Sequence, residues 1–320
     1  MTTLPDRPLV LPYSLVVGQT ELRRALEVSF VDPGLGVLAT GMRGTAKSTT
    51  IRAFSIMAFS ELPTTLPIGA SDDRVLGGLS IEALLRNRHE WQPGLLEQAS
   101  ASAGRMLFID EVNLLDDHLV NVILDAASTG ILVVQRDNVD HGTTPVRFSL
   151  IGTMNPDEGG LRPQLLDRFG LVVEVDAEGD VQHRRQVLET VLRFEEECEN
   201  TSSEFLSAAR THDAARRRKL IAARDRRHAV SIRHAAEACA RIAVELEVVG
   251  HRGELTLIRA ARAVAALDGA PAVGPKHLRT AARMALVHRR PSAQSGTLSP
   301  WLEEDDRRIA KVVTEMAKAW

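Results

Sequence analysis

The segment Gly41–Thr49, GMRGTAKST, constrains this chain more than any other feature. It follows the apolar run Gly36–Thr40 and precedes a helix-period pattern, which is the strand–loop–helix context of a phosphate-binding loop. Glycines let successive backbone N–H groups surround a phosphate, while the lysine and the hydroxyl after it supply a cation and an Mg²⁺ ligand. The residues predicted to bind the phosphates of a nucleotide are Gly41, Gly44, Thr45, Ala46, Lys47, Ser48 and Thr49.

Ala46 departs from the usual pattern, G-x-x-x-x-G-K-[ST], which has glycine at this position. A methyl group needs little room, but it disfavours the positive φ that glycine adopts freely. Taken alone, the near-match therefore also suits an ordinary glycine-rich turn between a strand and a helix.

A second apolar run, Met106–Ile109, leads directly into Asp110 and Glu111. In an open α/β sheet ligands collect at the carboxyl ends of the strands, so these carboxylates are expected beside the phosphate loop. Asp110 is predicted to hold Mg²⁺ together with Ser48, and Glu111 to orient and polarise the water that attacks the terminal phosphate. A lone acidic pair after a strand also suits a surface turn, but its order after the loop favours the catalytic interpretation.

A third apolar run, Phe148–Gly152, is followed by Thr153, Met154 and Asn155. The amide of Asn155 can bind the terminal phosphate or the attacking water without adding charge. An asparagine before a proline is also a common turn residue. Its place after a third strand makes Asn155 a predicted catalytic group, beside Lys47 and Glu111.

The apolar runs alternate with helical patterns up to residue 178, which predicts an α/β domain with a parallel sheet over residues 1–178. Two insertions interrupt it, at about 75–98 and as a β-hairpin at about 131–148. From residue 179 the strand-like runs stop, and helix-period patterns rich in Ala, Arg, Leu and Glu predict an all-α domain over 179–290. Residues 291–320 read as a linker and a last helix.

The composition excludes several classes of protein. A hydrophobic fraction of 44% is that of a globular protein and excludes a mainly disordered chain. Lys and Arg number 39 against 42 Asp and Glu, and this net charge of −3 argues against a protein that coats nucleic acid. Two distant cysteines, and the lack of a leader or of a long apolar run, predict a cytoplasmic chain with no membrane contact.

Together these motifs resemble an AAA+ ATPase, and more narrowly the small ATPase subunit, subunit I, of magnesium chelatase in the MoxR/chelatase group. The resemblance covers almost all of the first 290 residues. Besides the phosphate loop it is carried by long runs that are more specific than phosphate-binding motifs, namely 108–118, 152–156, 161–170 and 253–262, and by the short match 17–19. It implies an AAA+ core followed by a helical lid.

The resemblance also implies roles for residues outside the three strands. Arg168 would be the arginine finger, a catalytic cation that reaches the γ-phosphate bound in a neighbouring subunit. Asp167 and Arg162 would lie at the same subunit interface. An arginine of this kind is also often a structural partner of a nearby acid.

Further nucleotide contacts follow from the same resemblance. Arg259 would be the lid arginine that closes onto the nucleotide, although Arg262 lies three residues on, on nearly the same helix face, and suits the role as well. Val17, with Val16, would line the adenine pocket.

The resemblance implies ATP and Mg²⁺ as cofactors, and a homo-oligomer, a hexameric ring. It further implies a second AAA+ subunit with an integrin-I domain and a large porphyrin-binding subunit, which together insert Mg²⁺ into protoporphyrin IX. A cobaltochelatase-type motor or a MoxR-like remodeller would have the same motifs. From other classes, a helicase-clade DNA motor and a non-hydrolysing scaffold remain, the first disfavoured by the net charge and the second motivated only by Ala46.

Overall fold

The computed structural model describes residues 10–80, 82, 85, 86, 88, 90–136, 139–177, 179–200, 202–291 and 300–316. Five parallel strands form the central sheet, in the order β2 (Thr64–Leu66), β5 (Met106–Ile109), β8 (Ser149–Met154), β1 (Val37–Thr40) and β9 (Leu171–Glu174). The elements of this first part are α1 Thr20–Val31, β1 Val37–Thr40, α2 Lys47–Phe59, β2 Thr64–Leu66, α3 Asp72–Leu76, β3 Gly78–Leu79, β4 Trp91–Gln92, α4 Leu95–Ala101, β5 Met106–Ile109, α5 Asp117–Thr129, β6 Ile131–Arg136, β7 Val139–Pro145, β8 Ser149–Met154, α6 Pro163–Leu166 and β9 Leu171–Glu174.

The sheet confirms the predicted α/β class, because its central strands are the apolar runs that the sequence indicates. Every residue of β1 and β5 is buried, as expected of strands covered on both faces. Thr40 of β1 is in register with Met154 of β8, and Ile109 of β5 with Gly152. This register brings the loop after β1, the acidic pair after β5 and Asn155 together at the carboxyl ends of the strands. The edge strand β2 was not predicted, because TTL is too short and too polar to show a pattern.

Both insertions contain an antiparallel hairpin. The first pairs β3 with β4 and lies between α3 and α4. Residues 81, 83, 84, 87 and 89, within the insertion predicted at about 75–98, lie outside the described residues. In the second, β6 pairs with β7 from Ile131↔Pro145 to Arg136↔Val139, with a register shift after Val134. Its tip, residues 137 and 138, is likewise not described. The strand ends at Pro145, so residues 146–148 lead into β8 without joining the hairpin.

Helices make up the second part of the chain, again as the sequence predicts. They are α7 Val181–Glu197, α8 Glu204–Arg226, α9 Ala235–Glu245, α10 Arg252–Leu267, α11 Pro275–Leu286 and α12 Glu303–Glu315. One continuous apolar cluster joins α1, α2 and one face of the sheet to α8, α9, α10, α11 and α12. In the described residues, no helix is long and apolar enough to cross a bilayer.

One set of contacts joins the helical part to the start of the chain, and another holds the last helix. Asp213 of α8 accepts hydrogen bonds from the backbone N–H groups of Tyr13 (3.0 Å) and Ser14 (2.8 Å). Near the end of the chain, the buried Arg290 binds Asp305, which lies at the start of α12. The last helix is thus docked, while residues 292–299 of the predicted linker, the predicted boundary at 178 and residues 317–320 lie outside the described residues.

Candidate active site

Lys47 lies at the centre of the phosphate loop, with only 9% of its surface exposed. Its Nζ donates hydrogen bonds to the carbonyl oxygens of Gly41 (2.6 Å) and Met42 (2.7 Å) and lies 3.3 Å from the hydroxyl oxygen of Thr45. Burial lowers the pKa of Lys47, and the nearby carboxylates of Asp110 and Glu111 oppose that shift. The ammonium group is therefore held by the loop itself, in the position from which a cation can meet a phosphate.

The loop backbone has the conformation that a phosphate cradle requires. Gly41 has a φ of +154°, and a Cβ there would collide with the carbonyl oxygen of Val175; Gly44 has a φ of +78°. Ala46 is also left-handed, with φ 61° and ψ 20°. The methyl group thus does not prevent the conformation of the usual glycine, although a left-handed alanine costs roughly 1–2 kcal/mol.

Asp110 gathers two hydroxyl groups at the end of β5. Its Oδ1 accepts hydrogen bonds from Ser48 (2.9 Å) and Thr153 (2.7 Å), and its Oδ2 lies 3.8 Å from Arg52. Carboxylate and hydroxyl oxygens are the hard ligands that Mg²⁺ prefers. The predicted pair, Ser48 and Asp110, is therefore in direct contact and fits a magnesium site, and Thr153 joins it as a residue that the sequence did not indicate.

Glu111 follows on a strained backbone, with φ 60° and ψ 63°. Its N–H donates to the hydroxyl oxygen of Thr153 at 3.0 Å, and its Oε1 lies 3.4 Å from Nε of Arg43. Arg43 also pairs with Glu158. Left-handed non-glycine residues cluster at functional sites, and Glu111 and Ala46 both lie at this one.

Asn155 is 5% exposed and lies beside this group. Its side-chain oxygen accepts the N–H of Asp157 at 3.3 Å, and its backbone carbonyl accepts from Asn113 at 3.4 Å. The turn interpretation and the catalytic one are thus compatible. The oxygen closes the turn, and the amide nitrogen remains to donate to a phosphate or a water.

A cavity of about 910 Å³ opens from the loop toward the helical part. Val16 and Val17 line it, as does Gln19, whose side chain donates to the carbonyl of Thr45 at 3.0 Å. Its other wall is α7, with no buried residue and with apolar side chains that include Leu188, 63% exposed. The apolar end beside a phosphate loop suits a nucleotide base.

Arg168 lies at the amino ends of the strands, at the end of the sheet opposite to the phosphate loop. Its guanidinium binds Asp125 of α5 at 2.6 Å and lines a small cleft with Gly34 and Gly36, at the amino end of β1. Four strand residues span about 13 Å, and the phosphate loop begins at the far end of β1. Arg168 therefore faces away from this chain's own phosphate loop.

The two residues expected beside Arg168 have partners within the chain. Arg162 pairs with Asp117 at 2.7 Å and is largely exposed. Asp167 binds Arg252 and Arg289 of the helical part, each at 3.0 Å. Arg289 also donates to the backbone carbonyls of Asp167 and Phe169, both at 2.8 Å. In this chain the carboxylate of Asp167 joins the two parts.

Both candidates for the lid arginine lie away from the cavity in this structure, and the role stays a prediction. Arg259 donates hydrogen bonds to Asp32 from Nε (3.0 Å) and Nη2 (2.6 Å), and Asp32 precedes the amino end of β1. Arg262 donates to the carbonyls of Val230 (3.1 Å) and His228 (2.6 Å). Neither lines the cavity, because α10 packs against α1 at the amino end of the sheet. The helical cation that does line it is Arg184 of α7.

Comparisons with known proteins agree with this architecture. A model of the AAA domain of the dynein-related subfamily matches residues 36–169, and a model of an AAA lid domain matches residues 236–312. The magnesium-chelatase 38 kDa subunit of Rhodobacter capsulatus is 41% identical over 317 residues, with 88% of each chain covered. The magnesium-chelatase subunit ChlI homolog of Methanocaldococcus jannaschii is 36% identical, with 88% of this chain and 85% of the relative covered.

A solved structure shares the fold. A crystal structure from Cytophaga hutchinsonii, of a protein provisionally called an ATPase, superposes with a TM-score of 0.63 at 17% identity. The match covers 94% of this chain and 91% of that one.

Proposed function

Because the chain belongs to the AAA+ ATPase family and, within it, to the magnesium-chelatase ATPase subunits, we propose that it binds Mg²⁺ and ATP in the cavity and hydrolyses the terminal phosphate bond. The observation that carries this proposal is the meeting of Lys47, the Ser48–Asp110 pair and Glu111 at one edge of the sheet. A cation, a magnesium site and a carboxylate for the attacking water are what phosphoryl transfer needs.

Each side chain has one role in this reaction. Lys47 stabilises the charge that develops on the terminal phosphate, while Glu111 orients the water and accepts its proton as the water oxygen bonds to phosphorus and ADP leaves. Asn155 donates to the phosphate or the water. Ser48 and Asp110 would hold Mg²⁺, which supplies positive charge to the phosphate oxygens when bound.

We further propose that the working form is a ring of these chains, a hexamer, in which Arg168 completes the site of a neighbour. A cation at the transferring phosphoryl group accelerates the reaction by about 10³–10⁵. The position of Arg168 at the amino end of β1 supports this assignment, because a group there points away from its own loop and is available to another chain. Arg162 lies on the exposed surface, where it pairs with Asp117 at the start of α5.

The family supports a more specific proposal, namely that ATP hydrolysis drives the insertion of Mg²⁺ into protoporphyrin IX. In it the chain acts with a second AAA+ subunit that has an integrin-I domain and with a large porphyrin-binding subunit. The metal and the porphyrin are substrates, and the porphyrin-binding subunit handles both. This chain contributes the conformational work.

ATP turnover by the wild type, Lys47→Ala and Glu111→Gln tests the first proposal. We expect both variants to lose at least ~100-fold in turnover. We also expect Glu111→Gln to retain ATP binding, because it removes the base and leaves the loop intact. Equal turnover in all three proteins would contradict the proposal.

The chelatase proposal needs the complete reaction. The protein is mixed with its two partner subunits, ATP, Mg²⁺ and protoporphyrin IX, and the metalloporphyrin is followed by its absorbance. We expect product with the wild type and none with Glu111→Gln in the same mixture. An active ATPase that yields no product with its own partners would contradict the chelatase role and leave the ATPase role intact.

A further inference from the structure

Arg43 lies within the phosphate loop, between Gly41 and Gly44, yet its side chain does not contact the loop's carbonyl oxygens as Lys47 does. Its Nε is 3.4 Å from Oε1 of Glu111, and its terminal nitrogen pairs with Glu158. The side chain is 67% exposed. One exposed guanidinium thus connects the loop, the carboxylate proposed to activate water and a second acid.

Glu158 has no role in the reaction as proposed, and its surroundings are unusual. It ends the short turn Pro156–Glu158 that follows Asn155. Its Oε1 pairs with Arg43, whereas its Oε2 is buried and has no hydrogen-bond partner. A buried carboxylate oxygen without a partner is costly, so the ion pair with Arg43 is a major favourable contact of Glu158.

The position of Glu111 shows where the guanidinium lies relative to the reaction. Glu111 is the residue proposed to hold the water that attacks the terminal phosphate, so a group 3.4 Å from its carboxylate lies beside that phosphate's place. A guanidinium binds phosphate oxygens through two parallel N–H groups, and a phosphate carries more charge than a single carboxylate. A terminal phosphate therefore competes with Glu158 and Glu111 for Arg43.

We propose that Arg43 is a positioning residue that detects the terminal phosphate of ATP. It exchanges its two carboxylates for that phosphate and thereby releases Glu111 to orient the water. With ADP, which lacks the terminal phosphate, Arg43 stays with Glu158 and Glu111 and restrains the base. This inference rests on the proposed ATPase function and assigns to Arg43 and Glu158 the distinction between ATP and ADP.

The test compares Arg43→Gln with Glu158→Gln and measures the dissociation constants of ADP and of a non-hydrolysable ATP analogue, with Mg²⁺, by calorimetry. Arg43→Gln removes the cation, so we expect the preference for the analogue over ADP to fall by about ten-fold, the loss of one charge-assisted contact. Glu158→Gln removes the competitor, so we expect that preference to rise by about three-fold. A purely structural pair would not move the ratio in opposite directions.

The matched control is the exposed ion pair Arg241–Glu237 on α9, whose atoms are 2.7 Å apart. Arg241→Gln and Glu237→Gln should leave the ratio unchanged, and thermal midpoints should show that all four variants fold. A ratio that stays within two-fold of the wild type in both site variants, or that falls in both, overturns the inference. Failure of the wild type to bind the analogue at all would instead contradict the proposed function.

Discussion

The guanidinium of Arg168 is held 2.6 Å from the carboxylate of Asp125, at the end of the sheet opposite to the phosphate loop of the same chain. Asp125 is largely exposed, so this ion pair is weak and can be exchanged at a cost of about 1 kcal/mol or less. The residue proposed as the arginine finger is thus kept in place by a partner from which it can separate.

A mixing experiment tests whether Arg168 acts on a neighbour. Arg168→Ala lacks the finger and keeps Glu111, whereas Glu111→Gln lacks the base and keeps the finger. We expect each alone to lose about 10³-fold in ATP turnover, and a mixture of the two to recover measurable turnover. Recovery requires that one site combine Glu111 of one chain with Arg168 of the next.

Asp125→Ala is the control for that experiment, since it removes the partner of Arg168 and leaves both catalytic groups. Asp125→Ala should hydrolyse ATP alone. Its mixture with Arg168→Ala should show no more ATP turnover than the Asp125→Ala chains have by themselves. A mixture of the two catalytic variants with no more turnover than its components would contradict action between subunits.

The left-handed Ala46 predicts a stabilising substitution. Ala46→Gly relieves the cost of a left-handed alanine, roughly 1–2 kcal/mol, and loses part of that gain to the greater freedom of glycine in the unfolded chain. We expect the free energy of unfolding to rise by about 0.5–1 kcal/mol, measured by urea denaturation. ATP binding should persist.

The matched control is Ala208→Gly, at an exposed position inside α8. There the backbone is helical, so glycine should destabilise by about 1 kcal/mol. If Ala46→Gly destabilises as much as Ala208→Gly, the strain ascribed to Ala46 is wrong.

Alanine substitutions at the adjacent residues Asp167 and Arg168 should differ in their effect on the free energy of unfolding. Arg289 has a side chain only 2% exposed and is paired with Asp167. Asp167→Ala leaves a buried cation without its counter-charge, so we expect a loss of about 3 kcal/mol in the free energy of unfolding. Arg168→Ala breaks a weak pair with an exposed acid and should cost less than about 1 kcal/mol.

Urea denaturation of both variants measures the difference. We expect the larger loss in Asp167→Ala, because the arginine that pairs with Asp167 is buried, whereas the acid that pairs with Arg168 is exposed to water. Equal losses in the two variants would show that the contact between the helical part and the sheet does not depend on Asp167.

His288 should make stability depend on pH. It is fully buried, and burial together with the nearby charge of Arg289 lowers its pKa well below 6.5, while a hydrogen bond with the carbonyl of Phe169 opposes the shift. A depressed histidine pKa means that the unfolded chain takes up the proton first. This contribution to stability is therefore complete above pH 6.5 and is lost as the pH falls below it.

Between pH 7 and pH 5 we expect the free energy of unfolding to fall more in the wild type than in His288→Gln, which cannot titrate. The comparison is made by urea denaturation at both pH values, so that other titrating groups cancel. A pH dependence identical in the two proteins would contradict a neutral, buried His288.

Local sequence determined the site's inner residues. The phosphate loop, Asp110 and Glu111 each directly follow a buried apolar strand, and parallel strands place such residues at a common edge. Arg43, Thr153 and Glu158 were not indicated, because they occupy positions where the motifs accept many residue types. Their roles arise from contacts between segments that are distant in the chain, such as Thr153 with Asp110.

The positions of the arginines were decided by the tertiary structure alone. Helix periodicity put Arg259 and Arg262 on one face, but it does not say against which surface that face packs. Burying the apolar side of α10 on α1 carries Arg259 to Asp32, away from the cavity. The sequence by itself therefore determined which groups gather at the phosphate loop, because that depends on short-range order, and the packing of apolar faces decided which charged groups of the helical part lie near them.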